Sequence, residues 1–303
     1  MINCVWKLQL EEEIMDYFIY SDVSLDIDPQ IAREQDIRFV PMEYMLGDEV
    51  FLCDSLEPEQ KMHDYYEKLR RKVATKTSQI TPVHYMEVFE PIVKEGGSLI
   101  YLALSSGLSD TYSSACLAVQ NLKDEYGEVN IEVVDTLAGT GGMGLLAERA
   151  AENRQNGMTL RENADWLRKH ALDVQHWFKV EDLMYLKRGG RVSAATAIMG
   201  TALNIKPILM IKRDGKLDTI DKKRGNRQAM KCLIERFESS YDASLGTTVY
   251  ICCADCMEEA HKLEETLLAK HPELKIRVTM LSPIIGAHTG PDMLSLIHFG
   301  TGR

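Results

Sequence analysis

The apolar residues of this chain come in short runs set between polar loops and helical stretches. Tyr17 to Tyr20 is an apolar run that ends in Ser21-Asp22, and Ile37 to Val40 is another, closed by Pro41. Their length and flanks are those of strands. Between Pro58 and Lys72, Met62, Tyr65, Tyr66 and Leu69 recur at helical spacing, which predicts an amphipathic helix. Ser98 to Leu104 and Ile131 to Val134 read as buried strands, each followed by a loop of small residues and then a helix. That repeated strand–loop–helix order predicts an α/β fold with a parallel sheet whose working loops lie at the carboxyl ends of the strands.

Thr159 to Glu162 spells T-x-x-E, a capping box for a helix over about 160–171, and the strand-like Val174 to Val180 follows. Further strands are expected near Ile205–Ile211, Thr247–Cys252, Lys275–Met280 and Ser295–Phe299, and helices near 193–203, 226–239 and 256–270. The domain change is placed near residue 172. Residues 1–172 then form an α/β domain with a Rossmann-like parallel sheet, and residues 173–303 a smaller mixed sheet with helices. A helix is predicted from Pro82 to Lys94, with Pro82 at its first position; Pro91 is expected to kink or break it near Glu90.

Composition narrows the function. Against 46 acidic residues stand 35 Lys+Arg, a net charge of −11 in 303 residues, which argues against non-specific binding to nucleic acid or anionic lipid. The stretch from Met1 to Tyr20 carries Glu11, Glu12, Glu13 and Asp16 where an export signal needs a basic start and an apolar run. Apolar runs such as Ile208 to Ile211 fall far short of the roughly 20 residues that cross a bilayer, so no integral membrane segment is expected. The seven cysteines are scattered and fit reduced thiols in a cytoplasmic protein. Cys252, Cys253 and Cys256 include a C-x-x-C, but no second pair or histidine stands at ligand spacing. They read as buried strand-end cysteines, and no metal or cofactor is expected.

Two polar clusters carry candidate chemistry. Thr75 to Pro82 has hydroxyl or amide side chains at five of eight positions, just ahead of a helix start, and Ser105 to Thr111 (SSGLSDT) follows a strand and feeds the helix Tyr112 to Leu122. Hydroxyls with free backbone N–H groups at a helix N-terminus accept a carboxylate or phosphate. Ordinary capping explains either cluster alone; two in one domain favour a shared anion site. Gly139 to Gly144 formally spells G-x-G-x-x-G. Asp135 to Ala138 intervenes after the strand, however, and the acidic candidates Glu162 and Asp165 lie in the capped helix. The glycines are therefore read as permitting close helix–sheet packing, not as a dinucleotide site. From Leu186 to Ile211, Lys187, Arg188 and Arg191 bracket two glycines ahead of a small-residue helix at Ala194 to Ala202. Lys222 to Arg227 is a second basic run, after a hairpin turn at Asp214-Gly215. Either run suits a phosphate or an acidic protein surface. Gly286 to Pro291 reads as a glycine-rich turn holding one histidine, His288.

Together these segments resemble the DegV family from about residue 17 onward. The S-D-S-T-x-D-L element of that family is matched by Ser21 to Ile27, and T-S-Q-P by Thr77-Ser78-Gln79 with Ile80 for the proline. S-S-G-L-S-G-T is matched by Ser105 to Thr111 with Asp110 for the glycine. Its G-G-R, L-N-I-K-P-I and G-x-H-x-G-P stretches agree with the segment Leu186 to Ile211 and with Gly286 to Pro291. The resemblance implies two α/β domains enclosing a lipid tunnel that holds one long-chain fatty acid. It further implies a carrier, not an enzyme, that presents the acyl carboxylate to a fatty acid kinase for acyl-phosphate formation and phospholipid synthesis. Carried over by motif, Thr77 and Ser109 bond the carboxylate with Ser78, Ser106 and His288 nearby, while Arg191 and Arg224 serve kinase docking or the transferred phosphoryl group. Two alternatives stand beside this: a serine-dependent acyl hydrolase or transferase using Ser106 or Ser109 with His288, and a lipid-sensing regulatory protein with Arg188, Arg191 and Arg224 on its contact surface.

Overall fold

The structure is a computed structural model that describes residues 16–55, 59–193 and 204–303. The helix expected at Ala194 to Ala202 lies outside the described residues. Three sheets organise the rest. A four-stranded parallel sheet has the order β2-β1-β6-β7, from Phe18–Asp22 (β1), Ile37–Val40 (β2), Ser98–Ala103 (β6) and Asn130–Asp135 (β7). Every residue of β6 is buried, as the uninterrupted apolar run requires of a strand covered on both faces.

A three-stranded antiparallel sheet, order β4-β3-β5, is built from Met42–Leu46 (β3), Glu49–Cys53 (β4) and Thr75–Thr77 (β5). The Thr75 cluster lies just ahead of a helix start, as expected, and its first three residues also form a strand that the pattern did not show. Polar β5 is held in place by pairing Thr75, Lys76 and Thr77 with Leu46, Met45 and Tyr44. A six-stranded mixed sheet has the order β10-β9-β8-β13-β11-β12. Its strands are Val174–Lys179 (β8), Ile205–Ile211 (β9), Leu217–Arg224 (β10), Thr248–Cys253 (β11), Lys275–Met280 (β12) and Leu294–Phe299 (β13). The second half of the chain is thus shorter in sequence yet carries the wider sheet.

Helices fill the layers between. On one face of the parallel sheet lie Pro82–Lys94 (α3) and Thr111–Tyr126 (α4), packed on each other. Of the kink or break expected at Pro91, the break does not occur: α3 runs through it. The N–H that proline lacks would have bonded the carbonyl of exposed Glu87, which water can serve, while Phe89 and Ile92 on the inner side stay anchored in the core. Leu160–His170 (α6) covers β6 and β7 and opens with the predicted capping box between Thr159 and Glu162. Gly141–Gln155 (α5) lies between the sheets, packing on β1 and β6 of one and on β8, β11 and β13 of the other. Asn226–Ser240 (α8) and Met257–Leu268 (α9) cover the far face of the mixed sheet.

Three short helices complete the set: Pro29–Glu34 (α1), Leu183–Arg188 (α7) and Pro283–Thr289 (α10). Glu59–Arg70 (α2) lies against α10 and buries the predicted Met62, Tyr65, Tyr66 and Leu69. The Gly286–Pro291 stretch, expected as a turn, is the end of α10, stopped by Gly290 at φ +74°. No described helix is long and apolar enough to cross a membrane.

Candidate functional site

The carboxyl ends of β5 and β6, the start of α4, and the segment from α7 to Arg191 surround a cavity of about 650 Å³. Its interior walls come from alternate positions of buried strands and from α10, among them Leu104, Phe178, Ile211, Ile284, Met293 and Ile297. The rim is different in kind: Thr77, Ser78, Gln79, Ser106, Ser109 and His288 all line it. A deep apolar chamber with a small convergent polar group is the form of a site for an amphiphile. Of the chain's methionines, Met42 and Met293 line it among the described residues, so branched aliphatics dominate the walls.

Local structure fixes each rim residue. The Ser105 Oγ donates to the Gly215 carbonyl at 2.8 Å and accepts from the Gly107 N–H at 3.2 Å, which pins the serine loop to the hairpin between β9 and β10. Gly107 is obligatory there, because a methyl group on it would fall 2.4 Å from the Gly215 backbone. With Ser105 buried, Ser106 and Ser109 are left facing the cavity. The Ser109 Oγ accepts from the Thr111 N–H at 3.3 Å, and Ser106 N–H donates to Asp135 Oδ1 at 3.1 Å. Gln79 Nε2 donates to Ser114 Oγ at 2.7 Å, tying the end of the threonine cluster to α4. The two predicted clusters are therefore neighbours on one rim.

His288, in the last turn of α10, lies 2.9 Å through Nε2 from the Thr77 Oγ1. Burial, with Arg191 nearby, pushes its pKa down to about 4, so the ring is neutral near neutral pH. Its hydroxyl partner is Thr77 and neither Ser106 nor Ser109, so the serine–histidine pair of a hydrolase is not formed. Arg191 Nε donates to the Leu108 carbonyl at 2.9 Å, laying a cation from the second half of the chain across the serine loop of the first. Burial lowers the Arg191 pKa, and the Asp110 carboxylate opposes that shift. Asp110, which stands where the family motif has glycine, is thus exposed beside a guanidinium. Arg188 stacks on the Tyr185 ring at 4.4 Å and also lines the cavity. Arg224 is not brought to it: it ends β10 opposite Ile205 and is exposed.

The glycine cluster does what its interrupted context predicts. A methyl group on Gly141 would lie 2.5 Å from Tyr250 Cβ, and one on Gly142 would lie 2.0 Å from His176 Nε2. The space a pyrophosphate would need is filled by the mixed sheet. Residues that sequence reasoning passed over include Lys72, Phe178, Ile284 and Ile297 in the lining. The apolar runs around Phe178 and Ile297 marked strands buried on both faces but could not say which face met a void.

Comparison with known proteins now places the molecule. The family model described as "Uncharacterised protein, DegV family" matches residues 18–300. The chain belongs to the DegV family. A DegV domain-containing protein of Clostridium perfringens is 32% identical over 284 residues, covering 94% of this chain and 97% of the relative. Among solved structures, DegV of Bacillus subtilis, a fatty acid binding protein, superposes with TM-score 0.81 at 26% identity, covering 95% of this chain and 100% of that one. The Streptococcus pneumoniae Fatty Acid Kinase (Fak) B3 protein, loaded with linoleic acid, shares the fold, with TM-score 0.82 at 19% identity over 94% of this chain and 99% of its own. The α/β fold with one parallel and one mixed sheet is that of DegV structures.

Proposed function

We propose that this protein binds one long-chain fatty acid in the cavity and presents its carboxylate, as a cytoplasmic carrier, to a fatty acid kinase for acyl-phosphate formation. The observation that carries the reading is the 650 Å³ chamber itself, apolar within and rimmed by hydroxyls, amides and the start of α4. Thr77 and Ser109 accept the role of holding the carboxylate, with Ser78, Ser106 and His288 beside them. A neutral His288 supplies a hydrogen bond there without a compensating buried charge. A tail of about sixteen methylenes contributes about 0.8 kcal/mol each before ordering costs, so the chain supplies affinity and the rim supplies orientation. Arg191, at the rim, suits contact with the kinase or the incoming phosphoryl group; Arg224, away from it, suits only the docking surface. The Bacillus subtilis and Streptococcus pneumoniae relatives support the ligand class.

Native mass spectrometry of the protein after incubation with oleate tests the binding: one adduct is expected, weakened in Thr77→Val. A spectrum that stays ligand-free overturns the reading. Addition of a fatty acid kinase and ATP should then yield acyl phosphate only when the carrier is present, and Arg191→Glu should abolish that yield while the oleate adduct remains.

A further inference from the structure

Among the described residues that line the cavity, Lys72, Lys76, Arg188 and Arg191 are cations, and Asp110 is the one carboxylate set against them. In a chain of net charge −11, the mouth is thus a local excess of positive charge. Four cations alone would favour a doubly charged head over a singly charged one, because Coulomb attraction scales with the charge of the ligand. Asp110 opposes that preference.

Local structure leaves its carboxylate free to do so. Asp110 stands at the N-cap of α4, but with φ −83° and ψ 8° it lacks the extended backbone that turns a capping side chain back onto the helix, and it makes no cap bond. Ser109 takes that part, its Oγ accepting from the Thr111 N–H at 3.3 Å. The Asp110 side chain is exposed, with no hydrogen-bond or ion-pair partner among the described residues. Arg191 feels its charge across the opening. The guanidinium is fastened on its own side, by Nε to the Leu108 carbonyl at 2.9 Å and by Nη1 to the Gly189 carbonyl. Cation and carboxylate therefore share one loop without closing into a pair, and a head held at Ser109 meets both.

We infer that Asp110 is a specificity-determining residue of the rim, which favours a singly charged carboxylate over a doubly charged phosphate on the same aliphatic tail. The inference rests on the fatty-acid reading above and adds a direction to it: a phosphorylated head is held less firmly than it would be with a neutral residue at 110. One further negative charge about 7 Å from a carboxylate in partly solvated surroundings weakens binding about fivefold.

The test compares oleate with oleyl phosphate on the full chain at pH 8, where a phosphate monoester carries close to two charges. Affinities are read by displacement of a fluorescent fatty acid. Asp110→Asn keeps the shape and removes the charge; it should raise the affinity for oleyl phosphate about fivefold more than that for oleate. Asp110→Gly should shift the ratio the same way, and the shift should shrink at about 1 M salt. Glu95→Gln, which neutralises an exposed acid at the other end of α3, should leave the ratio unchanged. Equal gains for both ligands in Asp110→Asn, or the same shift in Glu95→Gln, overturn the inference and leave the cavity a fatty-acid site. Failure of wild type to bind oleate overturns the fatty-acid reading and this inference with it.

Discussion

Two turns in the first half of the chain share one grammar, a strand followed by small residues and a helix N-terminus, yet their helix starts meet different surroundings. The Ser105–Asp110 loop leads into α4 and presents Ser106 and Ser109 to a void. The Gly139–Gly144 segment leads into α5; Gly139 and Thr140 reach the same void, but the room in front of Gly141 and Gly142 is filled by Tyr250 and His176. Both turns touch the second half of the chain: one is fastened at its edge, by Ser105 to the Gly215 carbonyl, and the other is packed across its face. The backbone donors of a helix start make a binding site only where the rest of the fold leaves them uncovered.

Substitutions at the two turns should separate packing from binding. Gly141→Ala is expected to have the largest effect. Its added carbon meets Tyr250 Cβ, an atom that cannot swing aside, and the loss should be about 1–3 kcal/mol of stability in denaturant unfolding. An unchanged midpoint would show that the glycine is not there for close approach. Ser105→Ala comes next. It strips the donor from the buried Gly215 carbonyl and should cost about 1–2 kcal/mol, with the cavity rim loosened as a secondary effect.

His288, on the rim that the serine loop shares, extends the contrast into pH. His288 has its pKa pushed down to about 4, so the unfolded chain binds the proton more readily between that value and about 6.5. Stability from this group is full at neutral pH and falls on acidification through that window, by up to about 1.4 kcal/mol per pH unit. Buried Asp26, pushed up to about 7, acts with the opposite sign over the whole of that range. Comparison of wild type with His288→Gln therefore isolates the histidine: melting curves of the variant should slope less steeply by about one proton. Parallel slopes would place the His288 ring in water. The smallest effect belongs to Ser109→Ala, which should weaken oleate binding about fivefold, the worth of one hydrogen bond, and cost a similar amount of stability through the Thr111 N–H. Ser106→Ala, whose side chain is exposed, should alter affinity alone.

Much of the framework was legible because its signals are local. Ile37–Val40 and Lys275–Met280 coincide with the predicted strands, and the Thr159/Glu162 capping box is formed as read. The sheet of β3, β4 and β5 was not seen, because its strands are short and polar Thr75–Thr77 becomes a strand only by pairing with Met42–Leu46. The helical end of the Gly286–Pro291 segment was hidden for a related reason: α10 gains its stability from packing on α2 and α7, which no local pattern encodes. For the site, the polar rim was readable from clustered hydroxyls. The joining of Thr77 to His288, and of Arg191 to Leu108, depends on contacts between segments that lie far apart in the chain.

The position of α5 between the sheets constrains how the proposed cargo would get in and out. Its Glu148 is buried against Tyr250 and Arg277 of the mixed sheet, while its other side rests on β1 and β6. Parting the lobes like a book would strand that carboxylate and strip both cores at once. In the proposed carrier role, exchange would instead resemble threading a needle, with an aliphatic tail sliding lengthwise past the serine loop while the covers stay shut.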